Sequence, residues 1–203
     1  MEIMTKKVLT TKNLTMIAMF SAISAVLMVF EIQLPFSPSF VKFDFSDLPV
    51  MLGGFLIGPF AGGIIAFMKI LLHFLLNGTT SFFVGDLSNL LLTLSFVLPA
   101  SFIYQQKKTK KTAIQGLLVS IICTSLLAII FNLFLIFPLY LKVLNLKMVD
   151  LINMIHVVNP LVKDVFTMIV FSLLPFNLFK YSIVSMITML SYKKLSILAD
   201  AVI

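Results

Sequence analysis

The chain is a succession of apolar runs, several of them about as long as the hydrocarbon core of a bilayer is thick, with lysines clustered in the gaps. Lys6, Lys7 and Lys12 precede the first run, Lys107, Lys108, Lys110 and Lys111 interrupt the middle, and Lys193 and Lys194 follow the last. With 60% hydrophobic and 11% charged residues and a mean hydropathy of +1.12, the 203 residues leave no room for a soluble catalytic domain. The pattern specifies an all-α, polytopic membrane protein. Any ATP-driven work must come from other subunits.

All fifteen basic residues are lysine, and their juxtamembrane placement is the positive-inside signature. The formal charge of +7 therefore points to a membrane surface rather than to nucleic acid, since no aromatic platform is interleaved with the lysines. Cys123 stands alone in an apolar run, which excludes an internal disulfide and a multi-cysteine metal site. No small-residue cleavage site follows the first run, so it is expected to be a retained span.

Helices are expected over residues 13–34, 48–76, 82–105, 112–141 and 174–192. Splitting the second at Gly58-Pro59, into 48–57 and 59–76, puts all three lysine clusters on the cytoplasmic face, and Pro59 suits the first position of a new helix. The expectation is one membrane domain over 1–203, a six-transmembrane-helix bundle with both termini cytoplasmic. The 48–57 span is too short to cross about 30 Å as a straight helix, so it must be irregular, tilted or covered by protein. Residues 142–173 are expected to be extracellular or interfacial, and Tyr104, Tyr140 and Tyr192, at helix ends, to be interface anchors.

Polar residues inside apolar runs are the candidate site. Asn132 lies about 12 Å below the outer end of its helix, while Asn177 and Lys180 share a face at i, i+3 early in the last run. Amides and an ammonium at one depth can read the edge of a heterocycle that carries carbonyls and N–H groups. An interhelical hydrogen bond for Asn132 and snorkelling for Lys180 are the structural alternatives. The loop SPSFVKFDFSDLP, 37–49, is lid-like: Phe40, Phe43 or Phe45 can stack on a flat ligand while its polar residues fix the loop, or it simply connects and caps a helix at Ser46 or Asp47. Lys69, His73, Asp86 and Asn89 form a second polar group, able to pair across the bundle or line the cavity. His73 has no second ligand at metal spacing, and no nucleophile, base and orienter set occurs, so neither a metal site nor an enzyme is expected. In the first helix, Ala18, Ser21, Ala22 and Ala25 form a small-residue face for close packing, internal or with a partner.

KFDFSDLP at 42–49, GPFAGG at 58–63, Phe131-Asn132, PLY at 138–140 and PFNLFK at 175–180 together resemble the riboflavin-binding S component of energy-coupling factor transporters, over roughly residues 14–195. The resemblance implies a six-helix bundle in the cell membrane that binds riboflavin from the extracellular side. It further implies association with a transmembrane coupling protein and two ATP-binding-cassette ATPases, which hydrolyse the ATP; the chain itself needs no cofactor. Position by position, it implies that Asn132, Asn177 and Lys180 meet the isoalloxazine ring, and that Phe40, Val41, Lys42, Phe43 and Asp44 cover the ligand. It also implies that Asn89 belongs to the site and that Ala18 and Ala22 dock on the coupling protein. Departures fall at Lys42, at His73, along 86–89, and in the long 141–173 stretch. FMN as a second ligand stays open. So do an S component for another vitamin and a structural or assembly membrane protein without a small-molecule ligand.

Overall fold

The computed structural model describes residues 10–34, 41–79 and 82–201, with side chains placed through Ser191. Helix α1 spans Thr11–Val29, capped by the Thr10 hydroxyl, which accepts from the Asn13 N–H. It is followed by α2 (Asp47–Leu56), α3 (Pro59–Asn77), α4 (Val84–Lys107) and α5 (Lys110–Phe131). A π-helical turn, Asn132–Ile136, continues α5 into α6 (Phe137–Leu144). After α7 (Met148–Val158) and the single turn α8 (Val165–Met168), a second π segment, Ile169–Leu173, leads into α9 (Leu174–Ala201).

Among the described residues, five helical stretches are long and apolar enough to cross a membrane: Thr11–Val29, Pro59–Asn77, Val84–Lys107, Lys110–Leu144 and Val165–Ser191. The break between α2 and α3 falls where the sequence placed it. Gly58 has φ +140°, a conformation that L side chains rarely adopt, and Pro59 opens α3 at a position where its missing N–H costs nothing. The ten-residue α2 is about 15 Å long, half of a hydrocarbon core, and it is sheathed in protein. Val50 and Met51 have no exposure and Phe55 has 1%. The Gln105 side-chain amide donates to the Phe55 carbonyl at 2.8 Å, so a backbone acceptor at the free end of α2 is satisfied.

The main core packs α2 against α1, α3, α4 and α9, through Phe20, Met51, Ile65, Phe96 and Tyr181 among others. Beside the lysine-rich hairpin, α4 and α5 approach closely because Gly116 has no side chain: a Cβ there would stand 2.7 Å from the Ala100 carbonyl oxygen. Thr109 and Thr112 close a capping box that starts α5. Tyr104 is buried, stacked on Phe55 at 4.4 Å, and Tyr140 is 4% exposed, so neither is the interface anchor its helix-end position suggested. The Tyr192 side chain lies outside the described residues.

The last membrane-length stretch starts at Val165 rather than 174. The reason is local: the Asp164 carboxylate accepts from the Thr167 N–H at 2.8 Å, and Thr167 returns a bond to the Asp164 N–H, a capping box that begins the helix early. Within 142–173, α7 forms as a separate amphipathic helix with Leu151 and Ile155 buried and Val149 and Val157 exposed.

Candidate functional site

A cavity of about 480 Å³ opens between the first loop, the α3–α4 connection, α5–α6, α7 and α9. Its wall is mixed. Met28, Leu92, Ile136, Leu173 and Phe176 supply apolar surface, and Asn89, Asn132, Asn177 and Lys180 bring polar groups to it.

The first loop reaches the cavity through a backbone device. Ile32 and Phe43 exchange two N–H to carbonyl bonds, at 2.7 and 2.8 Å, tying the loop's return strand to the end of α1. Beyond this bridge the chain turns into α2, with the Asp44 carboxylate accepting from the Ser46 N–H at 2.7 Å. That turn delivers two carboxylates, Asp44 and Asp47, into the bundle interior.

Two lysines meet them. Lys180 donates to Asp44 Oδ2 at 2.9 Å and stands 3.3 Å from Asp47 Oδ2. Lys69 has no exposure, and its three ammonium hydrogens are shared among four oxygens within hydrogen-bond distance: Asp47 Oδ1 at 2.8 Å, Asn89 Oδ1 at 2.7 Å, Thr93 Oγ1 at 2.9 Å and Ser46 Oγ at 3.0 Å. Burying any one of these charges alone would cost several kcal/mol, so the four are mutually required. The chain of contacts runs from the first loop through α9, α2 and α3 to α4. Lys180 is thus anchored by the loop with ammonium hydrogens to spare, and Asn89, its oxygen held by Lys69, has an N–H₂ left to donate.

Asn132 and Asn177 share a local construction. The Asn132 amide donates to the Ala128 carbonyl at 2.7 Å and the Asn177 amide to the Leu173 carbonyl at 2.8 Å, each four residues back. A carbonyl can only accept, so in both cases the nitrogen is fixed toward the helix and the oxygen is free to face elsewhere. Asn177 Oδ1 is buried without a hydrogen-bond partner among the described residues. Both asparagines adjoin a π segment: Asn132 opens one, whose Phe137 N–H reaches five residues back to the Asn132 carbonyl, and Asn177 follows the other by one turn. Such turns recur at functional sites because they re-aim side chains within a helix.

Residues 12–192 match the family described as "ECF transporter, substrate-specific component". The chain belongs to that family. It is 36% identical over 185 residues to the riboflavin transporter RibU of Staphylococcus aureus (strain TCH60), covering 91% of this chain and 90% of that protein. It is 28% identical over 187 residues to the riboflavin transporter FmnP of Bacillus subtilis (strain 168), covering 91% and 92%. A solved S component of a bacterial ECF transporter superposes with a TM-score of 0.70 at 33% identity, covering 90% of this chain and 94% of that one. The family consists of transporter components rather than enzymes, and this S component is a multi-pass membrane protein.

Within this S component, Val41, Lys42, Asp44, Asn89, Asn132, Asn177 and Lys180 of the sequence-derived set all line one cavity. Phe43 does not. It is 5% exposed and packs edge-on against Phe45 at 5.0 Å and near Phe179 at 6.0 Å, because the Ile32 bridge turns its side chain into the wall. Phe40 lies outside the described residues. Lys180 does not snorkel, since Asp44 holds it in the interior, and Asn132 bonds its own helix rather than a neighbour. Lys42 pairs with Glu31 at the cavity edge. Sequence reasoning missed the cavity roles of Glu31, Tyr140 and α7, which contributes Leu151 and Met154. The amphipathic pattern of α7 was the available signal. In α1 the small residues divide: Ser21 and Ala25 are buried, whereas Ala18 and Ala22 lie on the exposed side with Met19, Ile23 and Val26.

Proposed function

We propose that this S component is the riboflavin-binding subunit of an energy-coupling factor importer. It takes riboflavin from the extracellular side and associates with a transmembrane coupling protein and two ATP-binding-cassette ATPases that supply the energy. The observation that carries this reading is that Asn177, whose buried Oδ1 has no hydrogen-bond partner among the described residues, and Lys180 line the same cavity of about 480 Å³. An oxygen in that position calls for an N–H on the ligand, and an ammonium in the same cavity calls for a carbonyl. The imide edge of the flavin ring offers N–H flanked by carbonyls. Its dimethylbenzene end suits apolar wall residues such as Phe176 and Leu173, and the cavity falls within the range of roughly 300–1,000 Å³ usual for small-molecule sites. The names of the related transporters agree with this choice.

In this account Asn132, Asn177, Lys180 and Asn89 contact the ligand, and the first loop covers it through Val41, Lys42 and Asp44. The bundle is one membrane domain that crosses six times, counting the protein-covered α2, with both termini cytoplasmic and 142–173 outside. Ala18 and Ala22 dock on the coupling protein, as their outward placement on a lipid-side helix favours. Titration of the detergent-purified protein against riboflavin tests the assignment: saturable quenching of flavin fluorescence is expected. Retention of a different vitamin with indifference to flavin would replace it by another substrate, and indifference to every vitamin would favour a structural role.

A further inference from the structure

His73 and Asp86 stand at the cavity rim, on the last two turns of α3 and the first turn of α4. Each is 7% exposed, and His73 Nδ1 lies 3.4 Å from Asp86 Oδ1. Yet both ring nitrogens are buried without a hydrogen-bond partner among the described residues. Leaving such groups unmatched carries a desolvation penalty of about 1–3 kcal/mol for each, so the arrangement is suited to something that enters and matches them. Asn77 and Ser88 line the cavity beside the pair. A metal is a poor match, because no cluster of three or more His, Cys, Asp or Glu occurs among the described residues.

The chemistry of the partner follows from the groups presented. A neutral imidazole offers one donor and one acceptor, and a carboxylate offers acceptors alone. An apolar ring edge would leave all of them unpaired. A phosphate would set negative charge against Asp86. A run of hydroxyls satisfies the whole set, since each hydroxyl donates once and accepts as well. We propose that His73 and Asp86 form a subsite for a polyhydroxylated chain, occupied by the ribityl arm when the ring edge sits on Asn132, Asn177 and Lys180. This rests on the riboflavin reading above and assigns the part of the ligand that reading left unplaced. Adjacent hydroxyls bridge the imidazole and the carboxylate, which makes the pair a determinant of selectivity for flavins that carry the polyol.

Riboflavin and lumiflavin, which shares the ring but has a methyl in place of the ribityl arm, separate the two readings. Fluorescence titration of the full-length purified protein is expected to show riboflavin bound at least about tenfold more tightly than lumiflavin, a difference of about 1.4 kcal/mol. His73→Leu and Asp86→Asn should each weaken riboflavin at least about fivefold while leaving lumiflavin within about twofold, so the preference collapses. Equal affinities in the unmodified protein, or variants that weaken both flavins alike, would overturn the subsite. Should His73→Leu not fold, the unmodified protein and Asp86→Asn still decide. Failure of both flavins to bind the unmodified protein would instead reject the riboflavin reading.

Discussion

Lys69 has no solvent exposure, and its ammonium meets oxygens from Ser46, Asp47, Asn89 and Thr93. Replacing it with methionine keeps the bulk and deletes the charge, leaving Asp47 with the more distant Lys180 ammonium and the Thr93 hydroxyl. Breaking a buried pair from one side costs about 3–5 kcal/mol, so Lys69→Met should lower the thermal midpoint of the detergent-solubilised protein steeply, and an unchanged midpoint would remove Lys69 from the buried network. Asn132→Leu acts differently. Among the described residues its amide nitrogen bonds its own helix, so the fold should survive while riboflavin affinity falls at least about tenfold, or about 1.4 kcal/mol, in a flavin titration. Affinity at the level of the unmodified protein would take Asn132 out of the site. At this scale the burial of Asn132, Asn177 and Lys180 around one cavity was legible in the sequence, because polar atoms within apolar runs are costly and therefore conspicuous. The Asp44–Lys180 pair was not, because 136 positions separate its members and only the finished bundle brings them together. The side of the loop on which Phe43 falls was equally hidden, being set by one backbone bridge to Ile32.

Among the elements, the α4–α5 contact depends on Gly116. Gly116→Ala would press a Cβ to within 2.7 Å of the Ala100 carbonyl oxygen, which forces the helices apart. Overpacking of this kind costs about 1–3 kcal/mol, and a lowered thermal midpoint with riboflavin still bound is the expected result. At the start of the last membrane-length stretch, bonds from the Thr167 backbone N–H and hydroxyl hold the exposed Asp164 carboxyl below its ordinary value of 3.8. A depressed folded value means that the cap's contribution is present above the unfolded value and fades as pH falls through the folded one. The stability difference between the unmodified protein and Asp164→Asn should therefore shrink below about pH 4 in thermal melts. The split at Gly58-Pro59 was legible because backbone chemistry marks it locally. The two π segments left no comparable mark, since they arise where packing makes one helix accommodate an extra residue, and the start at Val165 was lost because Asp164 and Thr167 lie within a stretch that reads as interfacial.

For the whole molecule, the lysine-flanked apolar runs made the membrane class and the helical architecture legible, since few structures satisfy the backbone in lipid. Which face of α1 packs into the bundle was not legible, because small residues run around it; burial separates Ser21 and Ala25 from the exposed Ala18 and Ala22. Ala18→Leu with Ala22→Leu should leave riboflavin affinity of the isolated subunit unchanged while reducing co-purification of the coupling protein. Full co-purification would move the docking face elsewhere. The central claim is that a cation donating to a carbonyl and an amide oxygen accepting from an N–H read the flavin's imide edge. The most direct measurement compares riboflavin with 3-methylriboflavin, whose ring N–H is blocked, by fluorescence titration of the purified protein. The account predicts saturable riboflavin binding and a loss of at least about tenfold on methylation; equal affinity for the two flavins would contradict it.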